Sequence, residues 1–173
     1  MEWIERSQKG DGEAFAAVYD RYKNLVYRTA YLMLGNAGEA EDALQEVFLK
    51  VYRSIAGYDP RKGAFTTWLY RITANHCVNV GRAQGPDPLP IEAAGGEVQD
   101  ELTLDGDTLE AALDRLSVRL RAVVVLRYYA GLSYAEIGEV LDLPLGTVKS
   151  RLNAALAALR RDLRVTRTQE VTS

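Results

Sequence analysis

Short polar and basic side chains are concentrated at the start of one predicted helix near the carboxyl end of the chain. When the start of a helix enters the major groove of DNA, such side chains bond base edges and phosphates. The residues in position to make these contacts are Thr147, Lys149, Ser150, Arg151 and Asn153. Their types and spacing indicate a surface that reads duplex DNA.

Two predicted helices joined by a short turn position these side chains. Ser133 and Glu136 have the spacing of a capping box, which predicts a helix over Tyr134–Leu141. Asp142-Leu143-Pro144 then forms the turn, because Asp tolerates the left-handed conformation and proline suits the first position of a helix. The second helix, predicted over Leu145–Leu163, has one apolar face, made of Val148, Leu152, Leu156 and Leu159. The pattern favours a helix-turn-helix over a plain helical hairpin with a solvated polar face.

A second group of residues, in the first half of the chain, has the composition of a surface for unpaired bases. Aromatic rings stack on bases, amides bond base edges and cations hold the backbone. Four polar residues of a helix predicted over Phe65–Arg82 share one side of it, within about 80° of one another, namely Arg71, Asn75, Asn79 and Arg82. Trp68 lies beside this stripe, and the residues in or next to the preceding loop that extend the group are Tyr58, Arg61, Lys62 and Phe65.

The opposite side of the same helix is expected to face the core, through Leu69, Ile72, His76 and Val80. Phe65 and Trp68 suit the core as well as they suit a base-binding surface. His76 and Cys77 are the only histidine and cysteine of the chain, whereas a zinc site needs about four ligands. We therefore expect no metal, no other cofactor and no catalytic residues, so the protein is predicted not to be an enzyme.

A third group lies on a helix predicted over Glu39–Ile55, whose buried face is predicted to be Leu44, Val47, Phe48 and Val51. Leu49 falls on the opposite side of this helix, among Asp42, Gln45 and Glu46. One exposed leucine is ordinary on a soluble surface. A leucine surrounded by charged and amide groups also suits a small protein-binding patch, and the sequence leaves both interpretations open.

Charge divides the chain into three parts. Residues 1–82 contain 11 Lys/Arg and 10 Asp/Glu. Residues 83–108 contain no Lys/Arg and 7 Asp/Glu, and residues 109–173 contain 10 Lys/Arg and 7 Asp/Glu. The net charges are therefore +1, −7 and +3. The acidic middle part contains three prolines and a Gly-Gly pair, and such a composition cannot bury enough apolar surface to become ordered. It predicts a flexible linker between two mildly basic modules.

Helical periodicity covers both modules, and no strand alternation is present. The further helices are predicted over Ala14–Leu34, Leu109–Leu116 and Val118–Ala130. We predict an all-α fold of two small helical domains, residues 1–84 and 109–165, joined by a flexible acidic linker over 85–108 and followed by a polar, frayed tail over 166–173. The second domain contains the helix-turn-helix.

The composition is that of a soluble intracellular protein. No apolar run approaches the roughly 18–20 residues that span a bilayer, so we expect no membrane insertion. The start of the chain lacks the features of a secretion signal. One cysteine cannot form an internal disulfide and is typical of a reducing compartment. The expected location is the cytoplasm.

The sequence resembles bacterial RNA polymerase sigma factors of the extracytoplasmic-function (ECF) group. Three stretches carry the resemblance, namely 40–48, 65–75 and 132–152. The resemblance implies that the first domain binds core RNA polymerase through Asp42, Gln45, Glu46 and Leu49. It also implies that residues 58–82 melt and read the −10 promoter element as a single strand, and that the helix-turn-helix binds the −35 element as a duplex.

The resemblance further implies that the linker extends toward the active centre of the polymerase and that an anti-sigma factor is a partner. Two departures from the family pattern stand out. Residues 153–158 are uncharged where many relatives carry Arg or Lys, which predicts weaker and less salt-sensitive duplex binding. Residues 78–81 are Val-Asn-Val-Gly, where relatives often have an acidic and a basic residue, so −10 contacts beyond Asn75 are less firmly assigned.

Two other functions are compatible with parts of the sequence. A stand-alone helix-turn-helix transcriptional regulator would have much the same second domain, although a receiver-type first domain would alternate strands with helices. A helical adaptor that binds only proteins would not need the polar stripe of Arg71, Asn75, Asn79 and Arg82.

Overall fold

The computed structural model describes residues 2–83 and 106–170, with side chains described over 2–83 and 110–161. Every regular element in these ranges is helical, which confirms the all-α prediction. The α-helices are α1 (Glu2–Gln8), α2 (Gly12–Leu34), α3 (Ala37–Ser54), α4 (Phe65–Ala83), α5 (Gly106–Leu113), α6 (Val118–Val124), α7 (Tyr134–Leu141) and α8 (Leu145–Glu170). Most of the predicted linker lies outside the described residues.

The chain forms two compact units that divide between Asn79 and Val80. In the first unit, side-chain caps fix where the helices begin. The Asp11 carboxylate accepts from the Ala14 N–H at 3.0 Å at the start of α2, and Asn36 accepts from Glu39 at 2.9 Å at the start of α3. Such caps satisfy backbone donors that a helix start leaves unbonded. They fix where α2 and α3 begin, and the two helices share one apolar core.

The core of the first unit contains the apolar stripes that periodicity predicts for α2 and α3. Val18 and Val26 of α2 are buried against Val47, Phe48 and Val51 of α3. Aromatic rings of α2 close the side of this core in edge-on contacts, with Tyr19 and Phe48 centroids 4.7 Å apart. Of the predicted buried face of α3, Val47, Phe48 and Val51 are confirmed as buried, whereas Leu44 is half-buried against the same core.

The predicted core face of α4 is partly wrong. Leu69 is fully buried, but Ile72, His76 and Val80 are only half-buried. The buried side carries instead three small residues, Thr73, Ala74 and Cys77. The Thr73 hydroxyl donates to the Leu69 carbonyl at 2.9 Å, so the hydroxyl has a hydrogen-bond partner within the core. Burial raises the pKa of the Cys77 thiol to about 12. The inner face of α4 is therefore turned from the predicted line of Ile72, His76 and Val80 toward Thr73, Ala74 and Cys77.

A short helix, α1, precedes the elements that periodicity identifies. Ile4 and Ser7 are its buried residues, and Ile4 belongs to the core of the first unit. Its seven residues are too short for the helical period to be recognised. Helix α1 matters for function because its last residue, Gln8, contacts the segment that follows α3.

In the second unit, α6 and the π-helical turn after it occupy the segment predicted as one helix. The Ala130 N–H donates to the Val125 carbonyl and the Leu132 N–H to the Leu126 carbonyl, both at 3.0 Å. Helix α8 extends to Glu170 in the structure, so the prediction that a helix ends at Leu163 and a frayed tail begins at 166 is wrong for the backbone of residues 164–170.

The helix-turn-helix forms as predicted. The Glu136 N–H donates to the Ser133 hydroxyl at 3.2 Å, and the Ser133 N–H donates to the Glu136 carboxylate at 2.7 Å. This backbone hydrogen bond is the main reason that the pKa of Glu136 is lowered. Asp142 adopts the left-handed conformation, with φ 54° and ψ 54°. The Thr147 N–H donates to the Pro144 carbonyl at 3.0 Å, and α8 begins at Leu145, as predicted.

Gly138 allows the tight approach between α7 and the turn. A Cβ added to it would lie 2.9 Å from the Leu143 carbonyl oxygen, closer than real Cβ contacts come. The Leu143 N–H also donates to the Gly138 carbonyl at 2.9 Å. Backbone cannot move aside as a flexible side chain would, so this position requires glycine.

We predict that Gly138→Ala destabilises the protein although alanine is the better helix former. Overpacking typically costs about 1–3 kcal/mol, against a helix-propensity gain of up to about 1 kcal/mol. Gly146→Ala, in the first turn of α8 with open space around it, is the matched control and should raise the unfolding temperature. Thermal unfolding followed by circular dichroism measures both. A Gly138→Ala protein as stable as Gly146→Ala would contradict the close approach.

Candidate nucleic-acid and protein-binding surfaces

An open groove of about 390 Å³ runs between α3 and α4 in the first unit. Four residues predicted from the sequence to bind unpaired bases line it, namely Trp68, Arg71, Asn75 and Asn79. The structure adds four residues that the sequence analysis did not assign to this surface, namely Lys50, Ser54, Ile72 and His76. The predicted stripe on α4 is therefore one wall of a groove whose other wall belongs to α3.

The groove combines groups that suit a single strand. The Trp68 ring is half-buried, Arg71 is exposed, and Lys50 adds a second cation from α3. The Asn75 amide donates to the Arg71 carbonyl at 2.8 Å, which holds the amide along the helix. The arrangement offers a ring for stacking, amides for base edges and cations for phosphates.

Tyr58 and Phe65 do not offer their rings to solvent as the sequence analysis proposed. They are 8% and 6% exposed and belong to the core. Their rings meet edge-on with centroids 5.2 Å apart, and the Trp68 ring lies 5.5 Å from that of Tyr58. The alternative that Phe65 is a core residue is correct. The two rings support Trp68 from beneath.

The loop between α3 and α4 is held by its own polar groups. Asp59 bonds the Arg61 backbone N–H at 3.0 Å and its guanidinium at 2.8 Å, and the Arg61 side chain is the main reason that the pKa of Asp59 is lowered. Lys62 is exposed, as predicted. The Tyr58 hydroxyl donates to the Gly63 carbonyl at 3.0 Å, which closes the loop. Arg82, near the end of α4, is also exposed.

His76 is the titratable group of the groove. Its Nδ1 lies 3.2 Å from Lys50 Nζ, so the ammonium donates and the ring nitrogen accepts. Burial lowers the pKa of His76, the Lys50 charge lowers it further, and Glu46 raises it by a smaller amount. The imidazole is therefore neutral at physiological pH.

The exposed face of α3 carries the predicted protein-binding patch. Asp42, Gln45 and Glu46 are exposed, and Leu49 is 47% exposed among them. Tyr52, one turn further on, is 61% exposed, and its ring meets the Phe15 ring with centroids 5.1 Å apart. Tyr52 was not predicted to belong to this patch, although its position three residues after Leu49 puts it on the same side of the helix.

The start of α8 presents most of the residues predicted to bind duplex DNA. Thr147, Lys149, Arg151 and Asn153 are half-buried. Ser150 differs from the prediction, because it is only 8% exposed and its hydroxyl donates to the Thr147 carbonyl at 3.1 Å. A helical wheel places Ser150 outward, but it ignores what surrounds the helix. The predicted apolar face of α8 is confirmed, with Val148, Leu152, Leu156 and Leu159 all buried.

Comparison with known proteins identifies both units. The family model for Sigma-70 region 2 matches residues 18–85, and that for Sigma-70 region 4 matches residues 112–161. The ECF RNA polymerase sigma factor SigW of Bacillus subtilis is 39% identical over 178 residues, which cover 93% of this chain and 95% of that protein. The chain belongs to the ECF sigma factors. The ECF RNA polymerase sigma-E factor of Escherichia coli K12 is 35% identical, with 90% of each chain covered.

Solved structures share the fold of this sigma factor. CnrH, in complex with the cytosolic domain of CnrY, has a TM-score of 0.66 at 21% identity and covers 94% of this chain. The sigma factor RpoE of Bartonella quintana, in complex with the anti-sigma factor NepR, has a TM-score of 0.66 at 23% identity and covers 87% of this chain. The alignments cover 96% of the CnrH chain and 97% of the RpoE chain.

The region 2 match contains the groove and the exposed face of α3, and the region 4 match contains α7 and the start of α8. The three surfaces of this sigma factor thus lie in the segments that define the family. Among the described residues, no helix is long and apolar enough to cross a bilayer, and no cluster of three or more His, Cys, Asp or Glu is placed to hold a metal ion.

We predict that the single histidine titrates below 6.5, its ordinary pKa, and that Lys50→Gln moves the midpoint upward. Because the pKa is lower in the folded state than in the unfolded state, His76 contributes stability that is complete above about pH 6.5 and is lost as pH falls through the folded-state pKa. Proton NMR of the imidazole measures the midpoint. Lys9→Gln, which removes an exposed lysine outside the groove, is the control. A midpoint at or above 6.5, or one unchanged by Lys50→Gln, would contradict the contact.

Proposed function

We propose that this sigma factor binds core RNA polymerase and directs promoter-specific initiation, with the first unit melting and reading the −10 element and the second unit binding the −35 element. The protein itself catalyses no reaction, since the polymerase supplies the chemistry. The observation that carries this proposal is the groove between α3 and α4, where a half-buried tryptophan, two cations and two asparagines line one open surface.

The composition of the groove favours an unpaired strand over a duplex. Stacking on an aromatic ring requires a base that has left its helix, and it contributes roughly 1–3 kcal/mol per base. Trp68 offers such a ring, supported from beneath by Tyr58 and Phe65. Asn75 and Asn79 supply amides for base edges, while Lys50 and Arg71 supply cations for phosphates. We assign the −10 element to this groove, with Lys62 and Arg82 as flanking contacts.

The second unit suits the −35 duplex. The start of α8 offers Thr147, Lys149, Arg151 and Asn153 to the edges of base pairs and to phosphates. Because the chain carries no charge from Asn153 to Ala158, few phosphate contacts are available beyond the first turns. We infer that this helix binds its duplex modestly and relies on the first unit for much of the promoter affinity.

The exposed face of α3 suits the polymerase itself. Leu49 and Tyr52 supply apolar area, and Asp42, Gln45 and Glu46 surround them with acceptors. Interfaces commonly combine such an apolar centre with a polar rim. We place core RNA polymerase on this face, and the acidic segment 85–108 in a basic channel of the polymerase.

Regulation by an anti-sigma factor is the further part of this proposal. The Bartonella quintana relative of the same fold was solved with the anti-sigma factor NepR. We infer that a comparable protein holds this sigma factor inactive until a signal releases it. The cytoplasm is the compartment in which all of these partners would meet.

The direct test is transcription from a random promoter library with the protein and core RNA polymerase. The proposal predicts transcripts that depend on the protein and share two sequence elements. If the protein binds duplex DNA but no transcript depends on it, a stand-alone helix-turn-helix regulator is indicated instead. That result would refute the proposal that the protein directs initiation.

For the polymerase face, we predict that Glu46→Arg combined with Leu49→Ala weakens association with core RNA polymerase by at least about tenfold, because an apolar anchor and an acceptor are lost together. Sedimentation or fluorescence anisotropy with core polymerase measures this. Glu13→Arg, an exposed charge reversal on α2, serves as the control. If the double variant binds like the control while remaining helical, the patch assignment is wrong.

For the duplex-binding surface, we predict that Lys149→Ala lowers the affinity for −35 duplex about tenfold and reduces the salt dependence by about one counterion. Ser150→Ala is the matched control and should change the affinity for the duplex by less than about twofold. The Ser150 hydroxyl is buried and bonds its own helix, so it is not available to bond DNA. Anisotropy titrations over a range of salt concentrations measure both. The reverse ranking would refute the assignment.

A further inference from the structure

Gln8, the last residue of α1, contacts a segment far away in sequence. Its Nε2 donates to the Ile55 carbonyl at 3.0 Å and to the Tyr58 carbonyl at 2.7 Å, across 47 and 50 residues. A primary amide has two N–H donors, so one side chain satisfies both acceptors at once. Gln8 therefore ties α1 to the exit of α3.

The two carbonyls bracket a single turn. Residues Ile55–Gly57 form a 3-10 turn, which is closed by the Tyr58 N–H donating to the Ile55 carbonyl at 3.1 Å. The side chains of Ile55 and Tyr58 are buried, whereas Ala56 and Gly57 between them are exposed. Without Gln8 the Ile55 carbonyl keeps the Tyr58 N–H as a donor, but the Tyr58 carbonyl loses the Gln8 amide and the turn loses its tie to α1.

Tyr58 connects this turn to the groove. Its hydroxyl holds Gly63 at the far end of the loop, and its ring lies against both Phe65 and Trp68. The backbone of Tyr58 is held by Gln8 while its side chain holds the loop and the tryptophan. A shift of the Tyr58 backbone would consequently displace Lys62 and Trp68.

We propose that Gln8 is a positioning residue for the single-strand surface, acting through the Ile55 and Tyr58 carbonyls to fix the loop over 58–63 and the Trp68 ring. This inference rests on the proposed function, because it takes Lys62 and Trp68 as contacts of the unpaired strand. It assigns α1 a role in promoter melting in addition to its role in the core.

The test uses the full chain with Gln8→Glu, which keeps the length of the side chain but removes both N–H donors at neutral pH. Ser7→Ala is the matched control, because the Ser7 hydroxyl donates to the Trp3 carbonyl of the same helix at 2.7 Å. All variants carry Trp3→Phe, which leaves Trp68 as the single tryptophan of a chain that has two. Trp68 then reports on the loop directly.

Two readouts follow. Without DNA, acrylamide quenching of Trp68 should increase in Gln8→Glu and not in Ser7→Ala, and the increase should diminish as pH falls below about 4.3, where protonation returns one donor to the side chain. With core RNA polymerase, binding of a single-stranded oligonucleotide bearing a −10 sequence from the promoter library should weaken about tenfold in Gln8→Glu. Affinity for core polymerase should stay unchanged, since the exposed face of α3 is untouched.

Unchanged quenching and unchanged oligonucleotide binding in folded Gln8→Glu would overturn the inference, and so would equal changes in Ser7→Ala. If Gln8→Glu does not fold, Gln8→Met, which has a similar length and no donor, takes its place in the same measurements. Failure of the parent protein to bind the oligonucleotide would refute the proposed function instead. The quenching experiment would still decide whether Gln8 positions the loop.

Discussion

The first unit depends on how Tyr58 is held. Its carbonyl accepts from Gln8, its hydroxyl donates to Gly63, and its ring is buried against Phe65 and beside Trp68. Each of these contacts joins a different part of the chain, namely α1, the loop and α4. Because the residue is only 8% exposed, its ring offers little surface to a ligand. It bears on the groove between α3 and α4 through its contact with the Trp68 ring, which lines that groove.

The second unit depends on a backbone constraint of a different kind. Asp142 in the left-handed conformation and Gly138 against the Leu143 carbonyl allow α7 to turn into α8 within three residues. The reciprocal bonds between Ser133 and Glu136 fix where α7 begins. The angle at which α8 presents Lys149 is therefore set by local chemistry. The two units of this sigma factor thus build their binding surfaces by different means, one through a core and one through a turn.

Local chemistry was readable from the sequence, and long-range contacts were not. The capping box, the bounds of α7, the apolar face of α8 and the polar stripe on α4 each depend on residues within a few turns of one another. The inward placement of Thr73, Ala74 and Cys77 depends on neighbouring helices, so helical spacing misplaced His76, which lines the groove, and predicted full burial for Ile72, which is half-buried against the core. The opposite wall of the groove, with Lys50, and the bonds of Gln8 join residues 26 to 50 positions apart. The burial of Ser150 likewise depends on surroundings that periodicity does not include.

We propose that the two units hold different forms of the same promoter, the first an unpaired strand and the second a duplex. A photo-crosslinking amino acid at position 75 or at position 149, in an initiation complex with core RNA polymerase, tests this most directly. The account predicts that position 75 crosslinks to one strand within the melted −10 element and that position 149 crosslinks to the −35 duplex. Crosslinks from both positions to duplex DNA, or from position 75 to polymerase alone, would contradict it.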